Sequence, residues 1–278
     1  MHLTGLHSYQ QPADNKAIGA QISMAKGNIF VETCNIHPSW QAFFEKSAVN
    51  RILANIEIEI SDSPYYPECK NVLRFASNDL DQIKHVIVGM DPYPSFNIRL
   101  NKPQATGRSF EVSELEGESW DYKIKQSSLR NILKAIYFNE TGKTDDIANV
   151  RANIADGTFT IADPTTWFDA MESQGVVFLN STLTVKPGEP GSHKEMWTPF
   201  REYLAEFLSG RDISWHLWGK DAQSEYGDLL DDRERKLQAP HPRMSQFVSN
   251  NTFQYADDID WTGMNYPNAK DRLIRKNR

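Results

Sequence analysis

The stretch HVIVGMDPYPS, residues 85–95, sets the reading of the whole chain. Val86, Ile87 and Val88 are too short a run for a helix and suit a strand buried on both faces, which Gly89 ends. Pro92 and Pro94 then fix two φ angles and push Asp91 and Tyr93 toward extended backbone, so neither strand nor helix continues. Such a segment serves as an ordinary turn, or as a rigid loop at the carboxyl end of a parallel strand, where open α/β sheets bind their ligands.

Three further runs resemble this strand: GVVFLN from Gly175, ISWHLWG from Ile213, and RKLQAP ending at Pro240. Amphipathic segments lie between them, notably SSLRNILKAIYFNE and TPFREYLAEFLSG, the latter closed by Gly210. Upstream, Trp40, Phe43, Phe44, Ile52, Leu53 and Ile56 return at helical spacing. Strands alternating with helices predict an α/β fold with a central, mostly parallel four-stranded sheet flanked by helices. Residues 139–167 are the least legible and are read as one short helix among long loops. The expected organisation is an arm at 1–36, one α/β domain at 37–262 and a basic tail at 263–278, whose KDRLIRKNR holds five Lys or Arg in nine residues.

Composition narrows the function. The chain has 278 residues, 39% hydrophobic content, seven Trp and fourteen Phe, enough for a substantial core. A formal charge of −7 argues against a surface that grips polyanions everywhere, though not against a local basic stripe. No run approaches the roughly 18 apolar residues of a membrane span, and the start lacks a signal-peptide pattern, so a soluble, cytoplasmic protein without membrane contact is expected. Cys34 and Cys69 are too few and too widely spaced for a metal site or a disulfide framework, and no metal is expected.

Three of the four strands finish in residues able to do chemistry: Asp91 and Tyr93 after the first, Asn180 ending VVFLN, and His241 after the last. A doubly wound sheet gathers such ends at one edge, so residues 150 positions apart can line one pocket. Taken singly, Asp91 reads equally as a turn-capping residue, Asn180 as a cap, and His241 as a loop histidine.

In their order and spacing these pieces resemble the uracil-DNA glycosylase superfamily, family 1 branch, over roughly Trp40 to Trp261. VGMDPYP is similar to its water-activating loop, ATGRSFEV to the segment bearing a stacking Phe, and SSLRNILKAI to a backbone-pinching Ser and its helix. QGVVFLNSTLTVKPGEPGSHKEMW resembles the uracil-recognition segment, and HLWGKDAQ with LQAPHPRMS the last strand and wedge loop.

The resemblance implies a monofunctional DNA glycosylase that hydrolyses the N-glycosidic bond of a flipped pyrimidine, uracil first of all, without cofactor. Asp91 would stabilise the sugar cation and orient water, and a neutral His241 would support charge on the departing base. Phe110 would stack on the base, Asn180 would pair with its Watson–Crick edge, Tyr93 would exclude a 5-methyl group, and Met90 would stand where the family usually places Gln. Met244 would be the wedge, in a loop one residue shorter than usual. Arg243, Ser128, Ser245 and His193 would contact the DNA backbone. The expected partner is single- or double-stranded DNA, bound by a monomer; the resemblance leaves room for a protein inhibitor or a replication partner without naming one.

Pro94 replaces a customary His, the loop from Pro94 to Ser109 is longer than usual, and Arg108 takes the place of Leu beside the expected pocket. These departures motivate two alternatives: a glycosylase releasing bulky modified pyrimidines from phage DNA in antiviral defence, and a non-catalytic DNA-binding replication partner. A nucleoside hydrolase is not expected, since the chain lacks the aspartate cluster that such metal-dependent enzymes need.

Overall fold

The computed structural model describes residues 28–121 and 123–266. Four parallel strands form the central sheet: β1 (His85–Gly89), β4 (Val176–Asn180), β5 (Ser214–Trp218) and β6 (Arg235–Ala239), in the order β4-β1-β5-β6. All four sit where the apolar runs place them. Because the pleat alternates, Val86 and Val88 enter one core layer and Ile87 the other.

The first layer packs Val86, Val177 and Trp215 against helix α3 (Ser47–Ile60), through Val49, Leu53 and Ile56, and against α7 (Lys194–Leu208), through Trp197, Phe200 and Leu204. The second packs Ile87, Phe178 and Trp218 against α4 (Ser127–Thr141), α6 (Pro164–Ser173), and the segment bearing Phe253 and Trp261. Helix α8 (Lys220–Gly227) follows β5. No helix among the described residues is long and apolar enough to cross a membrane.

Several sequence expectations shift. A short helix α1 (Ile29–Thr33) buries Phe30 in the first layer, so the packed domain starts before residue 37. At the other end Gly263 packs so closely on Ala170 and Ala162 that its Cβ would lie 3.0 and 3.3 Å from theirs. The domain therefore runs past residue 262; residues 1–27 of the expected arm and 267–278 of the expected tail lie outside the described residues. The periodic stretch from Trp40 breaks at Glu45–Lys46 into α2 (Gln41–Phe44) and α3. Helix α7 begins a turn before the expected Thr198, because Pro199 is accommodated inside it. Within residues 139–167 the short helix is α5 (Ile147–Ala155), but the stretch also holds the end of α4 and the first turn of α6, whose start at Pro164 falls where a loop is expected.

The long loop after Pro94 is a hairpin of β2 (Phe96–Asn97) and β3 (Lys102–Pro103). Asn97 donates to Ser113 Oγ at 3.0 Å, Arg99 to the Glu114 carbonyl at 3.0 Å, and Lys102 pairs with Glu116. The added length is thus clamped to residues 113–116.

Candidate active site

Strand order places the site. From β1 the chain crosses to β4 on one side and returns to β5 on the other, so the connections leaving β1 and β5 diverge and open a crevice beyond their carboxyl ends. Asp91, Asn180, Gly219 and His241 follow or end the four strands at that edge.

The β1–β4 ladder continues past the strands: Ser181 N–H donates to Gly89 O at 2.9 Å and Thr182 N–H to Met90 O at 3.0 Å. Asp91 is therefore fixed relative to Asn180. Its Oδ2 accepts the Gly191 N–H at 2.7 Å. Burial pushes the Asp91 carboxyl above the usual range; the Gly191 hydrogen bond opposes this, and the nearby Glu225 charge adds to it.

Asn180 pairs with Gly89 in register and is 5% exposed. A Cβ on Gly89 would come within 2.7 Å of Asn180 Oδ1, so the glycine leaves the carboxamide its place. Among the described residues nothing hydrogen-bonds that carboxamide. Buried amides normally find partners, and an open one at a sheet edge is equipped to read a ligand with one acceptor and one donor group.

Across the crevice, His241 rests against Gly219, whose Cβ would lie 2.7 Å from that of His241. Arg243 N–H donates to His241 Nδ1 at 3.0 Å, which makes Nδ1 the acceptor and leaves the ring proton on Nε2. Burial, reinforced by the Arg243 charge, lowers the imidazole pKa and keeps it neutral. The Phe110 ring stands 6.4 Å from the His241 ring and 5.6 Å from Trp218, on backbone at φ +65°. Ser109 holds that backbone to the sheet, its N–H on Phe178 O and its hydroxyl on Ile87 O, both at 3.3 Å. Tyr93 packs on the second core layer, and burial raises its phenol pKa.

Met90 and Met244 are exposed at 42% and 48%, and with His241 and the start of α8 they border a cleft of about 730 Å³. Arg243 and Ser245 are exposed beside Met244. Ser128 lies buried in the first turn of α4, three residues before Asn131, whose Nδ2 donates to Pro242 O at 2.7 Å and so ties α4 to the wedge loop. His193 is buried, at the residue preceding α7.

One expectation is corrected. Arg108 does not line the pocket: its buried guanidinium binds Glu172 at 2.8 Å, Glu111 at 3.1 Å and Asp169 at 2.7 Å, beside the Phe168 ring. A buried cation is retained only where carboxylates meet it, and here α6 supplies two of the three.

No protein-family model matches the chain. The uracil-DNA glycosylase of Mycolicibacterium vanbaalenii is 31% identical over 201 residues, covering 71% of this chain and 75% of that protein. The chain belongs to the uracil-DNA glycosylase family. The Amoebophilus asiaticus uracil-DNA glycosylase is 29% identical over 217 residues, covering 75% and 84%. The fold is shared with the UNG of Nitratifractor salsuginis, at a TM-score of 0.62 and 20% identity over 82% of this chain and 93% of that one. By family the protein is thus an enzyme of the DNA N-glycosylase class.

Sequence reading missed several residues that support this candidate site. Asn131, Gly191 and Ser109 act from remote positions, and no local pattern announces them. Gly219, directly after the apolar run of β5, carried a usable signal.

Proposed function

We propose that the protein hydrolyses the N-glycosidic bond of a uracil nucleotide extruded from DNA, leaving an abasic site. Bond cleavage gives an oxocarbenium-like sugar and an anionic base, so catalysis calls for negative charge under the sugar and donors around the base. Asp91 supplies the first and orients the attacking water. His241, neutral with its proton on Nε2, donates to the base carbonyl as charge builds there. Asn180 pairs with the Watson–Crick edge, Phe110 stacks on the ring, and Tyr93 occupies the space a 5-methyl group would need. Met244 enters the duplex as the extruded base leaves it, while Arg243, Ser245 and Ser128 hold the backbone. Met90 forms the rim between Asp91 and the wedge.

The observation that carries this reading is the unpartnered Asn180 carboxamide on the strand adjoining the Asp91 loop. An amide left open beside the Asp91 loop supports base reading over DNA binding alone. Arg108 is spent on carboxylates and the loop after Pro94 is a clamped hairpin, so these two departures give the bulky-base alternative no specific support.

The test is a panel of duplexes containing uracil, thymine or a glycosylated pyrimidine, scored by mass of the liberated base, with Asp91→Asn alongside. Uracil release is expected from the wild type. A fall of about 100-fold or more is expected for Asp91→Asn, with binding to an abasic duplex retained. Persistence of uracil while the glycosylated base is freed overturns the assignment.

A further inference from the structure

Glu225, on α8, is an acid outside the chemistry assigned to Asp91 and His241, and its side chain is only 8% exposed. A carboxylate so placed is retained where cations meet it. Two cations from α7 do so: Lys194 Nζ stands 2.7 Å from Oε1, and Arg201 reaches Oε2 at 3.4 Å. The arginine is a poor partner by itself, since its contact is long and its Nε is buried without a partner among the described residues. Lys194 is half-exposed and could leave its ammonium in water, so Glu225 is what draws it to α8. Arg201 closes the ring from the other side. It donates to Thr198 Oγ1 at 3.3 Å, and that hydroxyl donates to Lys194 O at 3.2 Å. The first residue of α7 is thus held by both its side chain and its carbonyl.

Lys194 in turn closes the turn that places the acid. Its N–H donates to Gly191 O at 3.1 Å, and Gly191 N–H donates to Asp91 Oδ2 at 2.7 Å. Glu225 is near enough for its charge to bear on the Asp91 carboxyl. At its other end α8 leaves Gly219, against which His241 rests, and Gln223 Nε2 donates to Leu217 O at 3.2 Å and Ala239 O at 2.9 Å, so the helix is tied to the ends of β5 and β6. We infer that Glu225 is a positioning residue: through Lys194 it holds the Gly191 N–H on the Asp91 carboxylate, and so sets the acid from the helix that also seats the imidazole. The inference rests on the glycosylase reading for what that placement serves. A partly exposed Lys–Glu pair contributes little to stability, whereas one that fixes the geometry of a site is felt in the rate.

The test uses the full chain with Lys194→Met, Lys194→Arg, Glu225→Gln and the double variant of Lys194→Met with Glu225→Gln. In Lys194→Met and Glu225→Gln the Gly191 amide should exchange with solvent about tenfold faster, the worth of a hydrogen bond to a charged group. Single-turnover release of uracil should fall about tenfold, as for a displacement of a fraction of an ångström. Binding to an abasic duplex should stay within about twofold of wild type, since the loss lies in the chemical step. Lys194→Arg should restore exchange and rate, and the double variant should be no slower than either single one, because both side chains act through one contact. Should Glu225→Gln fold poorly with Arg201 unpaired, Lys194→Met decides, as it alters a half-exposed side chain. The proposal is overturned if Lys194→Met leaves Gly191 exchange or uracil release at the wild-type rate. It is also overturned if abasic-duplex binding falls as far as release, which would make Lys194 a phosphate contact instead. A wild type that frees no uracil, with Gly191 exchange still answering to Lys194→Met, would defeat the glycosylase reading and leave the tether standing.

Discussion

Gly219→Ala probes how His241 is held, without touching any group assigned a chemical role. Gly219 sits at φ +100°, ψ +164°, a region almost reserved for glycine, and forcing alanine there costs about 1–3 kcal/mol. The new methyl carbon would lie 2.7 Å from His241 Cβ and 3.1 Å from Cδ2, whereas ordinary contact begins near 3.4 Å. The imidazole must therefore retreat by about 0.7 Å, carrying its Nε2 proton away from the forming anion. A displacement near 1 Å in a preorganised site costs about 100-fold in rate. Single-turnover release of uracil from a 5′-labelled oligonucleotide, read by alkaline cleavage at abasic sites, should fall by between tenfold and 100-fold. Binding to the abasic duplex should change far less, and the melting temperature should drop by a few degrees. A folded Gly219→Ala protein whose single-turnover rate stays within twofold of wild type would show that the Gly219–His241 contact does not set the imidazole's catalytic position.

Asn180→Asp should depress uracil release about 100-fold and move acceptance toward cytosine, whose amino group donates where uracil's O4 accepts; unchanged base preference on matched duplexes would remove Asn180 from recognition. Arg108→Met should strand Glu111 and Glu172 and cost about 3–5 kcal/mol. That appears as roughly a 10 °C loss in calorimetric melting temperature at unaltered uracil-over-thymine preference; the opposite pair of results would return Arg108 to the pocket. His85 and His216 share a 3.0 Å hydrogen bond inside the sheet, and burial lowers both pKa values, that of His216 to about 3. Because the folded values lie below the unfolded one near 6.5, their stability is fully present above pH 6.5. It is lost as the pH falls below that value, by about 2 kcal/mol for His216 at pH 5. Thermal melts from pH 8 to 5 should show this decline, and His216→Gln should flatten it.

The sheet was legible because β1, β4 and β5 are buried along their whole length and stand out as mostly apolar runs between helical periodicities, whereas β6, at the sheet edge, is partly exposed. The same pattern put Asp91, Asn180 and His241 at strand ends, and topology alone brought them to one edge. The hairpin escaped notice because two-residue strands have no period to detect. Arg108 misled because its carboxylates on α6 stand 61 and 64 positions along the chain, where only the folded backbone makes them neighbours. Helix α1 was hidden by its brevity: five residues with one buried aromatic give too little repetition to separate from a polar arm.

The segment carrying Ser109 and Phe110 straddles the line where β1 meets β5. Ser109 is tethered to β1 and β4, while the next side chain leans on Trp218 of β5 and on His241 beyond β6. The acid-and-amide half and the imidazole half of the molecule are thus stapled by two consecutive residues. Any breathing of the sheet along that seam must pull this staple, so the position of the Phe110 ring registers whether the two halves are closed.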